Sequence, residues 1–126
     1  MTTSDKKTIG VSPGGEEVLR QIGGGKPFQT DLDAARFAVS LALASGPWPP
    51  PRVETGTKWN VGSFDPGGQM KVVLELLRGP LEEPYRVLEA LLEVGLQHLA
   101  KHLQVHGALD LEVLLESTEK APVVSN

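Results

Sequence analysis

The sequence predicts a mainly α-helical fold with about five helices, a short N-terminal strand and one further short strand. Three observations support this fold class. Apolar residues recur at helical spacing through residues 13–22, 31–45 and 69–117. Glycine and proline separate these segments and mark where helices end. Only residues 7–11 and 57–64 alternate in the manner of strands.

The N-terminal segment predicts a strand that leads directly into a helix. Residues 7–11 alternate polar or small with apolar side chains over the length of one short strand. Ser12 supplies a capping hydroxyl and Pro13 suits the first helical position, while a triple-glycine run from Gly23 ends the helix. An isolated strand needs a partner for its backbone groups. The simplest partner is the same strand of a second copy.

The second predicted helix begins at Thr30 or Asp31, either of which can cap it, and runs to about Ser45. Its surface is apolar on nearly every side and includes Phe37 and Leu41. A helix of this kind must be buried nearly all round, and a chain of 126 residues has a modest core. We therefore expect part of this helix to lie in a contact between subunits.

The remaining elements follow from similar signals. A proline-rich connector is predicted over residues 46–56 and a strand over residues 57–64, followed by an Asp-Pro-Gly-Gly turn. Further helices are predicted over residues 69–78, from residues 81–84 to about 105, and over residues 109–117. We expect one domain over residues 1–126, in which residues 1–5 and 119–126 form flexible tails.

Composition excludes several classes of function. The formal net charge of −4 argues against a protein that coats nucleic acid through its overall charge, although it is compatible with a local basic patch. The absence of cysteine excludes disulfides, thiol nucleophiles and cysteine-based zinc sites. No apolar run is long enough to span a membrane, and the first residues lack the apolar core of a signal peptide. We expect a cytoplasmic protein with no membrane partner.

The long helix carries the residues most relevant to chemistry. His98, His102 and His106 fall four residues apart, on or near its core-facing side. No further ligand or His-Glu-x-x-His frame accompanies them, so we predict no metal and interpret His98 and His102 as half-buried residues of a subunit contact. Glu89 and Glu93 fall on the polar arc, where we expect them to be solvated. Without an acyl-transfer or phosphate-binding motif, the sequence predicts a protein that uses no cofactor and is not an enzyme.

The N-terminal arm is a candidate surface for nucleic acid. In a ribbon-helix-helix dimer, paired strands place alternate side chains in the major groove, and the start of the second helix holds phosphate. Ile9 and Val11 would then turn inward into the subunit contact. The alternative is an oligomerisation strand that carries exposed lysines. The side chains predicted to contact DNA are Lys6, Lys7, Thr8, Lys26 and Thr30.

The order of elements also carries a resemblance to a known family. The features concerned are Val11-Ser12-Pro13 before the first helix, residues 33–43, Thr57-Lys58-Trp59 after the proline-rich link, the leucine-rich helix of residues 70–77, and Pro84-Tyr85 with the long helix through Gly95-Leu96-Gln97-His98-Leu99. Over most of residues 11–115 the chain resembles DndE, the small helical subunit of bacterial DNA sulfur modification systems. The resemblance implies a non-catalytic oligomer that associates with DNA beside larger enzymes, which insert sulfur into the DNA backbone.

We therefore expect a non-catalytic accessory protein of a DNA sulfur modification (phosphorothioation) and anti-phage defence system. It would form homo-oligomers and bind or position double-stranded DNA beside larger modification enzymes. One alternative is a ribbon-helix-helix transcriptional regulator or antitoxin, and another is a protein adapter that bridges enzyme subunits. The family's association with DNA implies a lysine-rich surface, whereas this chain has 12 Lys and Arg residues against 16 Asp and Glu residues. DNA held by a protein partner is therefore a further alternative.

Overall fold

The computed structural model describes residues 5–23, 27–45 and 56–119. Lys26, almost all of the predicted connector and nearly all of both predicted tails lie outside these ranges. The described residues are mainly helical and include a small antiparallel sheet of two strands, as predicted. The elements are β1 (Thr8–Ile9), α1 (Pro13–Ile22), α2 (Asp31–Ser45), β2 (Trp59–Asn60), α3 (Val61–Phe64), α4 (Gln69–Arg78), α5 (Pro84–His106) and α6 (Leu111–Glu119), with a 3₁₀ turn at Pro66–Gly68 between α3 and α4.

The ends of the long helices follow the local signals in the sequence. The Ser12 hydroxyl accepts a hydrogen bond from the Gly15 N–H at 3.0 Å and caps α1, and the Thr30 hydroxyl accepts from the Asp33 N–H at 3.1 Å and caps α2. Gly107 follows α5 with a φ of 75°, a conformation that glycine adopts without steric penalty. The predicted boundaries of α1, α2, α4 and α5 are confirmed closely.

The N-terminal strand finds its partner inside the same chain. β1 pairs antiparallel with β2, so that Thr8 lies opposite Asn60 and Ile9 opposite Trp59. Backbone hydrogen bonds on both sides of this pair, such as Lys58 N–H to the Ile9 carbonyl at 3.0 Å, extend the contact. The N-terminal strand therefore has a partner within its own chain, and its pairing does not require a second copy.

The second predicted strand is shorter than expected. Only Trp59–Asn60 is extended, and the chain turns into α3 at Val61. The Arg36 guanidinium of α2 donates hydrogen bonds to the carbonyls of Ser63 at 2.9 Å and Phe64 at 3.1 Å. Phe64 itself is completely buried. The prediction of a strand through residue 64 is wrong because contacts with α2 hold these residues in a helical turn.

The core is built around the close packing of α2 against α5. Gly95 of α5 lies so near α2 that an added Cβ atom would come within 1.9 Å of the Ala38 carbonyl oxygen. Ala34, Ala35 and Ala38 are completely buried on the facing side of α2. The apolar surface of α2 is therefore largely covered within one chain, and its burial no longer argues for a second subunit. None of the helices in the described ranges is long and apolar enough to cross a membrane.

Candidate interaction surfaces

The first unexpected feature is a buried carboxylate on α5. Only 2% of the Glu89 surface is exposed. The Lys6 ammonium donates hydrogen bonds to both of its oxygens at 2.7 Å, and the Gly10 N–H donates to Oε2 at 2.7 Å. The prediction that Glu89 is solvated is wrong, because the N-terminal arm packs across what the helical pattern presents as the polar side of α5.

Glu93 lies one turn further along the same side of α5. The Ser12 hydroxyl donates a hydrogen bond to Glu93 Oε1 at 2.7 Å, so the residue that caps α1 also binds α5. Glu93 Oε2 is buried, and no group in the described part of the chain donates a hydrogen bond to it. Glu93 is thus only half-exposed, contrary to prediction, because α1 covers it.

Two aspartates connect the ends of helices. Asp5 accepts hydrogen bonds from the backbone N–H groups of Tyr85 at 2.8 Å and Arg86 at 3.2 Å, at the start of α5. Asp65, which is 3% exposed, accepts from the N–H groups of Met70 at 2.8 Å and Lys71 at 3.1 Å at the start of α4. Negative charge at these helix N-termini is stabilising. Both carboxylates are therefore used by the fold itself.

The Tyr85 hydroxyl joins these two helix ends. It donates a hydrogen bond to Asp65 Oδ2 at 2.9 Å. Burial, and then the adjacent Asp65 carboxylate, raise the pKa of Tyr85 to about 12. A phenol with so high a pKa stays protonated at neutral pH and serves as a hydrogen-bond donor here.

The residues predicted to contact DNA do not form one basic surface. The Lys6 ammonium is bound to Glu89, and the Thr30 hydroxyl caps α2. Thr8 is half-buried in β1, while Lys7 is exposed. Lys26 lies outside the described residues. Lys7 lines a cleft together with Lys71, but acidic residues line the same cleft: Asp5, Glu75 and Glu82.

Acidic neighbours also neutralise other cations. Lys58 lies 2.9 Å from a Glu16 carboxylate oxygen and 3.0 Å from an Asp31 carboxylate oxygen, and the hydrogen bond to Glu16 contributes most to raising its pKa. Further ion pairs join Arg20 to Glu17, Arg36 to Asp33 and Arg86 to Glu83. Cations engaged in this way are less available to phosphate groups.

Most of the residues predicted to form a subunit interface lie inside a single chain. Ile9, Val11 and Leu41 are buried in the core of one chain, and His102 is buried beside α6. Phe37 is half-buried and packs against Phe28, with ring centroids 5.1 Å apart, whereas His98 is exposed. The burial predicted from the apolar pattern is thus achieved within the chain for most of these residues.

A different helix, α4, carries most of the large apolar side chains that are exposed in the described residues. Val72, Val73, Leu76 and Leu77 of α4 have exposed fractions between 46% and 80%. Leu74 faces the core and is buried. Sequence reasoning missed this surface, which we call the α4 face. The sequence did contain a signal for this surface. The apolar residues of α4 surround more of the helix than the single side that packs against the core.

Among the residues that the structure describes, no group of three or more His, Cys, Asp or Glu side chains is placed to hold a metal ion. Comparisons of this chain with protein-family models, curated proteins and solved structures gave no match.

Proposed function

We propose that this protein is a non-catalytic accessory subunit that self-associates through the α4 face. The observation that carries the proposal is the exposure of four large apolar side chains on a single ten-residue helix. Soluble monomers rarely expose contiguous apolar patches larger than a few hundred Å², and larger ones commonly mark interaction sites. The resemblance to DndE suggests the setting, a bacterial DNA sulfur modification system with larger modification enzymes as further partners.

A second copy is the occupant that fits this surface best. Most soluble oligomers are symmetric homo-oligomers, and a two-fold interface brings the same patch of two copies together. The four side chains of the α4 face are uncharged, so that two copies can bring them together without opposing like charges. Burial of these side chains in such a contact would be favourable, since removing apolar area from water contributes about 25 cal/mol per Å².

Sedimentation at several protein concentrations tests this proposal. We expect the parent protein to associate at micromolar concentration and the Leu76→Glu variant to remain monomeric, because the contact would otherwise bury an unpaired charge. Val105→Glu is the matched control, since Val105 is 75% exposed on α5 and Leu76 is 80% exposed on α4. A parent protein that stays monomeric at high concentration, or equal effects of both substitutions, would overturn the proposal.

We propose as a second function that the protein positions double-stranded DNA through the cleft that contains Lys7 and Lys71. The supporting observation is that Lys7 and Lys71 line the same cleft and that, within the described ranges, neither of them forms an ion pair. A fluorescence anisotropy titration with a DNA duplex at several salt concentrations measures this contact. The double substitution Lys7→Ala and Lys71→Ala is expected to weaken binding and to flatten the log–log salt dependence by about two units.

Lys101→Ala is the control for that experiment, because Lys101 is an exposed lysine on α5 that does not line this cleft. A parent protein without measurable affinity for the duplex would eliminate the DNA function and leave self-association as the proposed role. Sequence-selective binding would instead favour a regulator.

A further inference from the structure

The connection between α5 and α6 is closed by a hydrogen bond to a buried histidine. His102 is 7% exposed, and its Nε2 accepts a hydrogen bond from the Asp110 N–H at 2.9 Å. Asp110 immediately precedes α6, and its carboxylate accepts a hydrogen bond from the Val113 N–H at 3.3 Å. The residue that caps α6 is thus tied to α5 through His102.

This hydrogen bond requires the neutral form of His102. An imidazole accepts at Nε2 only when that nitrogen carries no proton, whereas the protonated ring would place an N–H group against the Asp110 N–H. Burial lowers the pKa of His102, and the neighbouring His106 lowers it further, while the Asp110 carboxylate opposes these effects. The rings of His102 and His106 lie 4.6 Å apart between centroids.

Other elements near this contact contribute little charge. On α2, against which α6 packs, the charged residues are Asp31, Asp33 and Arg36, all in the first two turns. Arg36 is occupied by the Ser63 and Phe64 carbonyls, and Glu112 of α6 is exposed. The charges that act on the His102 imidazole are therefore those of His106 and Asp110.

We propose that the His102–Asp110 hydrogen bond is a pH-sensitive latch that holds α6 against the rest of the chain. At neutral pH the imidazole accepts the Asp110 N–H, and α6 keeps Leu114 buried in the core. When the imidazole is protonated, the hydrogen bond is lost and α6 separates from α2. Release of α6 uncovers the apolar surface around Leu114, which is buried while α6 is held against the chain.

The direction of the pH dependence follows from the two states. In the released state His102 is solvated, with an ordinary pKa of about 6.5, whereas the latched state has a lower value. The latch is therefore complete above about pH 6.5 and weakens as the pH falls from there toward the lower value. At a pH below both pKa values, each unit of difference between them favours release by about tenfold.

Hydrogen exchange measured by mass spectrometry, corrected for the intrinsic pH dependence of exchange, tests the latch. Between pH 7.5 and pH 5.5, we expect exchange of the α6 amides to rise by up to about tenfold, because pH 5.5 lies one unit below the ordinary histidine pKa of about 6.5. The α1 and α4 amides serve as internal references and should not change. A pH-independent rate in α6 would overturn the proposal.

Substitutions at three histidines separate the latch from general effects of pH. His102→Gln retains a side-chain acceptor that does not titrate, so the α6 response should disappear, whereas His98→Gln alters an exposed residue and should preserve it. His106→Gln removes the neighbouring imidazole that lowers the pKa of His102, so it should reduce the response, and it supplies a second test if His102→Gln folds poorly. A full parent-like response in the His102 variant, or a larger response in the His106 variant, would refute the latch.

Discussion

Lys6 and Glu89 are 83 positions apart in the chain, yet the Lys6 ammonium lies 2.7 Å from both oxygens of the Glu89 carboxylate. This ion pair fastens the N-terminal arm to the second turn of α5. It also places β1 where β2 can pair with it, so the arm is part of the core and not a free extension. The strand pairing that a ribbon-helix-helix dimer supplies between two chains is supplied here by β2 of the same chain.

Removing the Lys6 ammonium should destabilise the fold. In Lys6→Met, Glu89 stays buried and keeps only the Gly10 N–H as a partner. We expect the free energy of unfolding in urea to fall by about 2 kcal/mol, since a buried charge that loses its partner is costly and Lys6 is partly exposed. Lys7→Met, at the exposed neighbouring position, should change it by less than about 0.5 kcal/mol. Equal losses in both variants would contradict a structural role for the ion pair.

Glu89 and Glu93 should respond differently to the same substitution. Glu89→Gln leaves the Lys6 ammonium without its counter-charge and is expected to cost about 2 kcal/mol. Glu93→Gln keeps an acceptor for the Ser12 hydroxyl and removes a buried oxygen that lacks a partner in the described structure, so its cost should be below about 1 kcal/mol. Urea unfolding of the two variants measures the difference, and a greater cost at Glu93 would contradict the roles assigned to the two carboxylates.

The contact between Gly95 and Ala38 makes a sharp prediction about packing. Gly95→Ala places a methyl group where the Ala38 carbonyl lies, so α2 and α5 must move apart. We expect a loss of about 3 kcal/mol in thermal or urea unfolding, at the upper end for overpacked sites. Gly62→Ala is the control because no atom lies within 4 Å of the added Cβ, and its stability should stay within about 0.5 kcal/mol of the parent.

The single tyrosine of the chain allows its ionisation to be observed directly. Absorbance titration of tyrosinate should give a midpoint of about 12 for Tyr85. Asp65→Asn should move this midpoint toward the ordinary value of about 10, because a neighbouring negative charge is removed. Asp33→Asn, at an exposed position on α2, should leave it unchanged. A parent midpoint near 10 would show that Tyr85 is neither desolvated nor bonded to Asp65.

The raised pKa of Tyr85 also determines how this residue affects the free energy of unfolding at alkaline pH. Its pKa is higher in the folded chain than in the unfolded chain, so its contribution is complete below about pH 10. That contribution is lost as the pH rises from about 10 toward 12. Unfolding free energies measured over this interval should therefore fall less steeply in Tyr85→Phe than in the parent protein.

The sequence alone determined where most of the helices begin and end. The Ser12 and Thr30 hydroxyls bond to N–H groups three residues later, and Gly107 adopts the left-handed conformation directly after α5. Each signal involves groups that are close along the chain, so its effect does not depend on the rest of the fold. The mainly helical class follows from these local signals together with helical spacing.

The tertiary structure decided which surfaces these elements cover. Alternation identified residues 7–11 as a strand but gave no information about its partner, because β2 lies about fifty positions away. Helical periodicity placed Glu89 on the polar side of α5, yet Glu89 is buried, and the apolar Leu76 of α4 is exposed. A periodic pattern gives the direction of a side chain relative to its own helix, whereas exposure depends on which distant segment packs there. Here the N-terminal arm covers the polar side of α5, and in the described residues no segment covers the α4 face.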